Sequence, residues 1–237
     1  MFRYVLFNKP YRVLTQFTDD SGKSTLADFI DIPGIYGAGR LDYDSEGLLL
    51  LTDNGQFIHQ LMNPKFKVFK TYYVQVEGSP EPEQIERLRR GVELKDGITA
   101  PAQVEVIPEP DWLWPRNPPI RERKEIPTTW LSISISEGKN RQVRRMTAAI
   151  GHPTLRLVRQ SIGGLAVNSL ACGEFIEVTE AELCSQLGLK SISHPLSKEV
   201  ADKARLKRSG PRLHRNQQSR SQNRTGGKTR SGSRRNR

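Results

Sequence analysis

The chain has 237 residues, which is enough for one sizeable domain and a smaller second part. Its 37 Lys and Arg outnumber its 26 Asp and Glu, and the resulting net charge of +11 and pI of about 9.9 favour a nucleic-acid partner. The longest aliphatic run, 48–51, is far shorter than the ~20 apolar residues of a membrane-spanning helix, and the apolar start at 4–7 is too short for a secretory signal. We therefore expect a cytoplasmic protein without a membrane partner.

The hydrophobic pattern predicts more strands than helices. Strands are expected at 3–7, 36–41, 48–52, 71–77, 103–107, 129–136, 155–160 and 174–178. Helices are expected at 26–30, 56–62, 82–90, 141–150 and 180–187. Because the two types do not alternate regularly, the pattern predicts an α+β fold with a mainly antiparallel or mixed sheet and flanking helices. The Pro- and Arg-rich stretch 111–127 is predicted to be a long mobile loop.

The positive charge is concentrated at the C-terminal end. Residues 190–237 hold 15 of the 37 Lys and Arg but only 2 of the 26 Asp and Glu, which leaves 22 and 24 in residues 1–189. The last third of this segment has no aromatic and almost no aliphatic residue, so it cannot bury a core. We predict a folded domain over 1–189 and a disordered basic tail over 190–237, which either binds RNA phosphates or only adds solubility.

Two short motifs match ligand sites only in part. Gly22-Lys23-Ser24-Thr25 resembles the end of a nucleotide-binding P-loop, but Phe17 stands where that loop requires glycine. The segment from Asp42 to Asp53 has the spacing of a calcium loop, but its middle is four leucines that favour a buried strand. The two cysteines and four histidines match no metal-ligand spacing, so we expect no metal.

The informative motif is built around Asp42. Gly39-Arg40-Leu41-Asp42 ends one predicted strand and, after a short polar turn, Gly-Leu-Leu-Leu-Leu-Thr-Asp-Asn-Gly over 47–55 begins the next. Asp42 therefore lies between two rigid elements. Taken alone, it would be interpreted as a turn aspartate bonded to its own backbone.

Together these residues resemble the signature of the pseudouridine synthases that act on ribosomal RNA, in the branch typified by the small-subunit enzyme. Three further segments match this family in the same order: Leu6-Phe7-Asn8-Lys9-Pro10, Lys70-Thr71-Tyr72 and the basic motif from Glu137 to Met146. The resemblance covers residues 2–187. It is closest to the large-subunit enzymes, which implies a uridine of 23S rRNA as substrate.

The resemblance implies a pseudouridine synthase fold with its active-site cleft across the sheet. It also implies an isomerisation without a cofactor, in which the bond from uracil N1 to ribose C1′ is cleaved, the base rotates, and C5 is joined to C1′. The family's aspartate corresponds to Asp42. This residue is either the nucleophile at C1′ or the base that removes the 2′ proton, and a carboxylate suits both roles.

The resemblance also assigns supporting residues. Arg144 corresponds to the cation that pairs with the catalytic carboxylate, and Tyr72 to the tyrosine that stacks on the target base. The helical pattern agrees, because Val143, Met146 and Ile150 form an apolar face with Arg144 on its flank. The cations expected to contact RNA are Arg40, Lys70, Arg141 and Arg145.

The basic helix contains a local conflict. Arg141 is expected in its first turn after an Asn140 N-cap, where a cation opposes the helix dipole, and such conflicts are typical of functional sites. The alternative for these basic residues is an ordinary solvated face.

Two other functions compete with the enzyme. One is a non-catalytic RNA-binding or ribosome-assembly protein on the same fold, which the intact Asp42, Tyr72 and Arg144 argue against. The other is a different RNA-modifying enzyme, which would need a glycine motif for a nucleotide or methyl donor. Most of this branch begins with an RNA-binding domain of the ribosomal-protein S4 type. The catalytic motifs start here at residue 4, so we expect no such domain and expect the tail to supply affinity. We expect a monomer.

Overall fold

The computed structural model describes residues 2–66, 68–120 and 125–189. The predicted tail, 190–237, lies outside the described residues, as does part of the predicted loop at 111–127. Within the described ranges, no helix is long and apolar enough to cross a membrane.

A mixed sheet of nine strands forms the centre of the described chain. Its strands are β1 (Tyr4–Lys9), β2 (Tyr36–Gly37), β3 (Glu46–Thr52), β4 (Lys70–Glu77), β7 (Gln103–Ile107), β8 (Thr128–Ile135), β9 (Thr154–Ile162), β10 (Leu165–Ala166) and β11 (Phe175–Glu177). A separate hairpin joins β5 (Glu93–Leu94) to β6 (Gly97–Ile98). The order across the sheet is β11-β1-β3-β9-β4-β8-β7, with β2 paired to β3 and β10 to β9. Neighbours run antiparallel except β3 and β9, which are parallel.

Four α-helices flank this sheet in the part of the chain that is described. They are α1 (Gly55–Met62), α2 (Pro82–Arg90), α3 (Gln142–Ala149) and α4 (Glu180–Leu187), and short 3-10 helices cover Leu26–Asp28 and Pro64–Phe66. The predicted α+β class and mixed sheet are confirmed.

Some predicted elements differ in extent. The helix expected at 26–30 is a 3-10 helix of three residues, and the strand expected at 36–41 ends at Gly37. The strand ends early because Gly39 has a φ of +92° and turns the chain out of the extended conformation. The two-residue strands β5, β6 and β10 were not predicted.

The four leucines of β3 are buried on both faces of the sheet. Leu49 and Leu51 pack in a core with residues of α2 and α3, whereas Leu48 and Leu50 pack in a second core with residues of α1 and α4. A strand covered on both faces is expected to be continuously apolar. The segment that follows Asp42 is therefore a rigid central strand.

β3 and β9 approach each other closely where β3 begins. Gly47 pairs with Arg159 and has a φ of +101°. A Cβ atom at Gly47 would lie 2.4 Å from the Arg159 carbonyl oxygen, so a side chain cannot be accommodated without a backbone shift.

A buried ion pair reinforces this contact. Glu46 and Arg156 are 1% and 6% exposed, and Arg156 donates two hydrogen bonds of 2.9 Å to the Glu46 carboxylate. The Trp114 indole donates to the same carboxylate at 2.9 Å, and Arg156 donates to the Trp114 carbonyl oxygen at 2.8 Å. The pair therefore joins β3, β9 and the loop around Trp114.

Glu46→Ala is expected to lower the free energy of unfolding by about 3–5 kcal/mol, because it leaves the Arg156 charge buried without its carboxylate. Urea unfolding at neutral pH measures this change. The control is Glu177→Ala, which removes an exposed ion pair with Arg3 and should cost no more than about 1 kcal/mol. Equal losses in the two variants would show that burial does not determine the contribution of the Glu46–Arg156 pair.

Candidate active site

Most of the predicted site residues line a cleft of about 620 Å³ where β4 begins and β8 and β9 end. This volume lies in the range of small-ligand sites. Five of the predicted residues line it: Arg40, Asp42, Lys70, Tyr72 and Arg141. Arg144 and Arg145 are not among the lining residues.

Asp42 is held at this cleft by its backbone. The carbonyl oxygen of the preceding Leu41 accepts a 2.6 Å hydrogen bond from Thr15 Oγ1. Ser45 N donates to the Asp42 carbonyl oxygen at 3.0 Å and closes the turn before β3. The Asp42 side chain is 31% exposed. A fixed backbone thus presents an accessible carboxylate.

The cations near Asp42 are arranged differently from the prediction. Arg141 Nη1 lies 3.9 Å from Asp42 Oδ2, and the Arg141 guanidinium donates bonds of 2.8 and 2.7 Å to the Asp44 carboxylate. Arg144 Nη2 donates to the Asp44 carbonyl oxygen at 2.6 Å, and its Nε lies 3.4 Å from Asp44 Oδ2. The expected pairing of Arg144 with Asp42 is thus replaced by a contact with Asp44, which the turn after Asp42 brings to α3.

The start of α3 also differs from the prediction. Its N-cap is Arg141, in the left-handed conformation with φ 47° and ψ 33°, so the expected Asn140 cap is wrong. The Gln142 side chain accepts a bond from Lys139 N at 3.0 Å and donates one to Glu137 at 2.8 Å. These contacts fix the turn in a way that capping preferences do not reveal.

Asp44 is the acidic centre of this cluster. Burial alone would raise the pKa of Asp44, but the hydrogen bond from Arg141 and the charge of Arg144 outweigh it, and the pKa lies below its ordinary value. The hydrogen bond to Asp44 raises the pKa of Arg141, whereas burial lowers the pKa of Arg144. Ionised Asp44 therefore holds both arginines beside the Asp42 turn.

Lys70 and Tyr72 form one wall of the cleft. They are two residues apart on β4 and so lie on the same face of the strand. Tyr72 is buried, and Lys70 Nζ donates a 3.4 Å hydrogen bond to the Val68 carbonyl oxygen. Burial and, after it, the nearby charge of Arg159 lower the pKa of Lys70.

Arg159 also lines the cleft but was not among the predicted site residues. It is 3% exposed, its Nε donates to the Leu48 carbonyl oxygen at 2.7 Å, and its Nη1 donates to the Arg40 carbonyl oxygen at 3.4 Å. Its signal in the sequence was a basic residue that follows the apolar Leu157 and Val158 in a predicted strand.

Lys9 is another buried cation outside the predicted set. Its Nζ donates bonds of 2.8 Å to the carbonyl oxygens of Pro10 and Val13, and burial lowers the pKa of Lys9 to about 7. These bonds fix the loop that carries Thr15, which in turn holds Leu41. The Asn-Lys-Pro motif therefore supports the position of Asp42.

The two remaining predicted RNA contacts differ in their surroundings. Arg40 is exposed at the cleft. Arg145 donates bonds of 2.6 and 3.1 Å to the Asp96 carboxylate, between β5 and β6. Arg145 thus joins α3 to the hairpin, away from the cleft lining.

An accessible carboxylate beside an aromatic ring and several cations suits nucleophilic or base chemistry on a flat, negatively charged substrate. Among the described residues, no group of three or more His, Cys, Asp or Glu side chains is arranged to hold a metal ion.

Residues 3–149 match the family model of RNA pseudouridylate synthases, and the chain belongs to this family. It is 60% identical over 177 residues to the ribosomal large subunit pseudouridine synthase E of Vibrio vulnificus (strain CMCP6), covering 75% of each chain. It is 35% identical over 189 residues to the ribosomal small subunit pseudouridine synthase A of Escherichia coli (strain K12), covering 77% of this chain and 73% of the relative. The predicted family is confirmed.

A solved structure supports the fold. The crystal structure of a pseudouridylate synthase superposes with a TM-score of 0.66 at 30% identity, over 79% of this chain and 74% of that one. The predicted pseudouridine synthase fold is thereby confirmed.

Asp44→Asn is expected to reduce stability at neutral pH but much less in acid. The native pKa of Asp44 lies below the ~3.9 of an unperturbed aspartate, so its pairing stabilises the fold above that value and is lost as the pH falls through the native pKa. Urea unfolding at about pH 7 and at about pH 3 should therefore show a difference from wild type that shrinks in acid.

The control for this experiment is Asp31→Asn, at an exposed position, which should change the free energy of unfolding by no more than about 0.5 kcal/mol. A difference for Asp44→Asn that is equal at both pH values would contradict the ion-pair interpretation.

Proposed function

We propose that this protein converts a uridine of 23S ribosomal RNA to pseudouridine, with Asp42 as the catalytic carboxylate. The observation that carries the proposal is the accessible Asp42 at a cleft bordered by Tyr72, in a member of the RNA pseudouridylate synthase family. The large-subunit name of the Vibrio vulnificus relative, at 60% identity, favours 23S rRNA over 16S rRNA.

The reaction is an isomerisation, so it needs no net oxidant or reductant. Cleavage of the N1–C1′ bond leaves its electron pair on uracil. After the base rotates, C5 bonds to C1′ and loses its proton, and N1 gains one. Asp42 either attacks C1′ or removes the 2′ proton. Arg141, which Asp44 holds, orients the Asp42 carboxylate in both mechanisms.

The target nucleotide must leave its stack to reach Asp42. We expect the Tyr72 ring to supply a surface for the extruded base, and Arg40 and Arg141, which also line the cleft, to contact RNA phosphates. Arg144 acts through Asp44 rather than on the substrate. Arg145 stays a proposed RNA contact for which a phosphate must compete with Asp96.

We further expect the enzyme to act in the cytoplasm, where ribosomal RNA is made, as a monomer and without a cofactor. A non-catalytic RNA-binding role is less favoured, because the Asp42 side chain is 31% exposed and so accessible to a substrate. A purely structural aspartate would be engaged in hydrogen bonds within the protein.

Asp42→Asn is expected to lower pseudouridine formation by at least about 10³-fold, because the amide has nearly the same shape but is neither nucleophilic nor basic. The measurement is tritium release from 5-tritiated 23S rRNA at saturating enzyme. Asp111→Asn, at an exposed loop position, is the control and should react at the wild-type rate. Appreciable turnover by Asp42→Asn would remove Asp42 from this role.

Removal of residues 190–237 is expected to weaken RNA binding at low salt and to flatten its salt dependence. The segment holds 15 basic and 2 acidic residues, and each lost phosphate contact lowers the slope of log affinity against log salt by about 0.7–0.9. The single-turnover rate at saturating enzyme should stay close to that of the full chain, because Asp42 and Tyr72 lie in the retained part.

A full-length variant whose tail Lys and Arg are replaced by Gln separates charge from length, and it should behave like the truncated protein. If truncation leaves the salt slope unchanged, the tail does not bind RNA, and cations of residues 1–189 must supply the affinity.

A further inference from the structure

β9 carries two buried arginines whose partners differ in kind. Arg156 has the Glu46 carboxylate as a bidentate partner. Arg159, three residues further on and only 3% exposed, donates to two carbonyl oxygens, and its Nη2 has no hydrogen-bond partner among the described residues. A guanidinium buried without a carboxylate is strongly unfavourable unless another negative charge compensates it.

Lys70 is likewise a cation whose hydrogen-bond partner is a carbonyl oxygen and not a carboxylate. Its ammonium is half-buried, donates to one carbonyl oxygen at 3.4 Å and lies close enough to Arg159 for that charge to lower the pKa of Lys70. In the described part of the chain, no carboxylate lies within 4 Å of either cation. Two neighbouring cations without an acid partner therefore line one cleft.

A β-bulge brings Arg159 opposite Tyr72 in the sheet. The β4–β9 register shifts between Thr71 and Tyr72, so that Tyr72 lies opposite Arg159 instead of opposite Gln160. Residues directly opposite on antiparallel strands have Cβ atoms about 4.5–5.5 Å apart. Arg159 and Tyr72 thus start from one face of the sheet and line the same cleft. The bond from Arg159 to the Arg40 carbonyl oxygen ties it to the segment that carries Asp42.

We propose that Arg159 and Lys70 form an anion site for the detached uracil. The inference rests on the proposed function. When the N1–C1′ bond breaks, its electron pair moves to the base, and the negative charge spreads over N1, O2 and O4. The two cations stabilise this charge and keep the base in the cleft while it rotates. C5 then bonds to C1′, releases its proton, and N1 is protonated, so the negative charge is lost.

A backbone phosphate of the RNA would present the same charge. The base is favoured because Arg159 is only 3% exposed and pairs across the sheet with Tyr72, so a group must enter the cleft to reach it. A flat ring enters such a cleft more easily than a phosphate flanked by two riboses. A phosphate contact would strengthen binding, whereas an anion formed during the reaction requires stabilisation only as the bond breaks.

The test uses full-length Lys70→Met and Arg159→Lys, with Arg90→Met at an exposed helix position as the control. Affinity and single-turnover rate are measured on a 23S rRNA fragment that the wild-type protein converts. Conversion by wild type tests the proposed function separately. We expect Lys70→Met to lower the rate by about 10–10²-fold, with affinity within about threefold of wild type, and Arg90→Met to change neither.

The same fragment transcribed with 5-fluorouridine gives the deciding measurement. Fluorine withdraws electrons and makes the base a better leaving group, so the rate defect of both variants should be smaller. Because C5 carries fluorine and has no proton to release, the rejoined base cannot become pseudouridine, and the rate is followed in nuclease digests as loss of the target 5-fluorouridine. Equal defects on the two RNAs, or an unchanged rate, would overturn the proposal. So would weaker binding with a lower salt slope and a normal rate, which identifies a phosphate contact.

If Arg159→Lys fails to fold, Lys70→Met carries the test, because Lys70 makes one long bond to a carbonyl oxygen.

Discussion

The close contact between β3 and β9 is the constraint on which the candidate active site depends. At Gly47 the two backbones are so near that a Cβ atom would lie 2.4 Å from the Arg159 carbonyl oxygen. Asp42 precedes β3, whereas β9 pairs through its other edge with β4, which carries Tyr72. The distance between the carboxylate and the ring is therefore set by one parallel contact, which the buried Glu46–Arg156 pair reinforces.

Charged groups around this contact divide into two kinds. Glu46 with Arg156, and Asp44 with Arg141, are carboxylate pairs that are satisfied inside the protein and fix the geometry. Arg159, in contrast, has only carbonyl partners among the described residues. Since a charge in a low-dielectric site interacts strongly with whatever enters it, the first kind positions the cleft and the second gives it affinity for negative charge.

The sequence predicted most of the fold because its signals are local. The period-two alternation over 129–136 gives β8, and the leucines of 48–51 give β3. The features of the site that the sequence did not reveal depend on contacts between segments that are far apart in the chain. Arg144 contacts Asp44 instead of Asp42 because of the turn before β3. The β-bulge that places Arg159 opposite Tyr72 interrupts the two-residue alternation of the strand at a point that the sequence pattern does not mark.

The wrongly predicted cap shows how the site depends on a strained residue. The left-handed conformation costs a non-glycine residue roughly 1–2 kcal/mol, and Arg141 adopts it where an Asn140 cap would have started the helix without strain. Such strain persists only when surrounding contacts determine the conformation. Here the bidentate bond to Asp44 and the Gln142 contacts do so. Because Arg141 is within 4 Å of both Asp42 and Asp44, the strain is located in the residue that orients the proposed catalytic carboxylate.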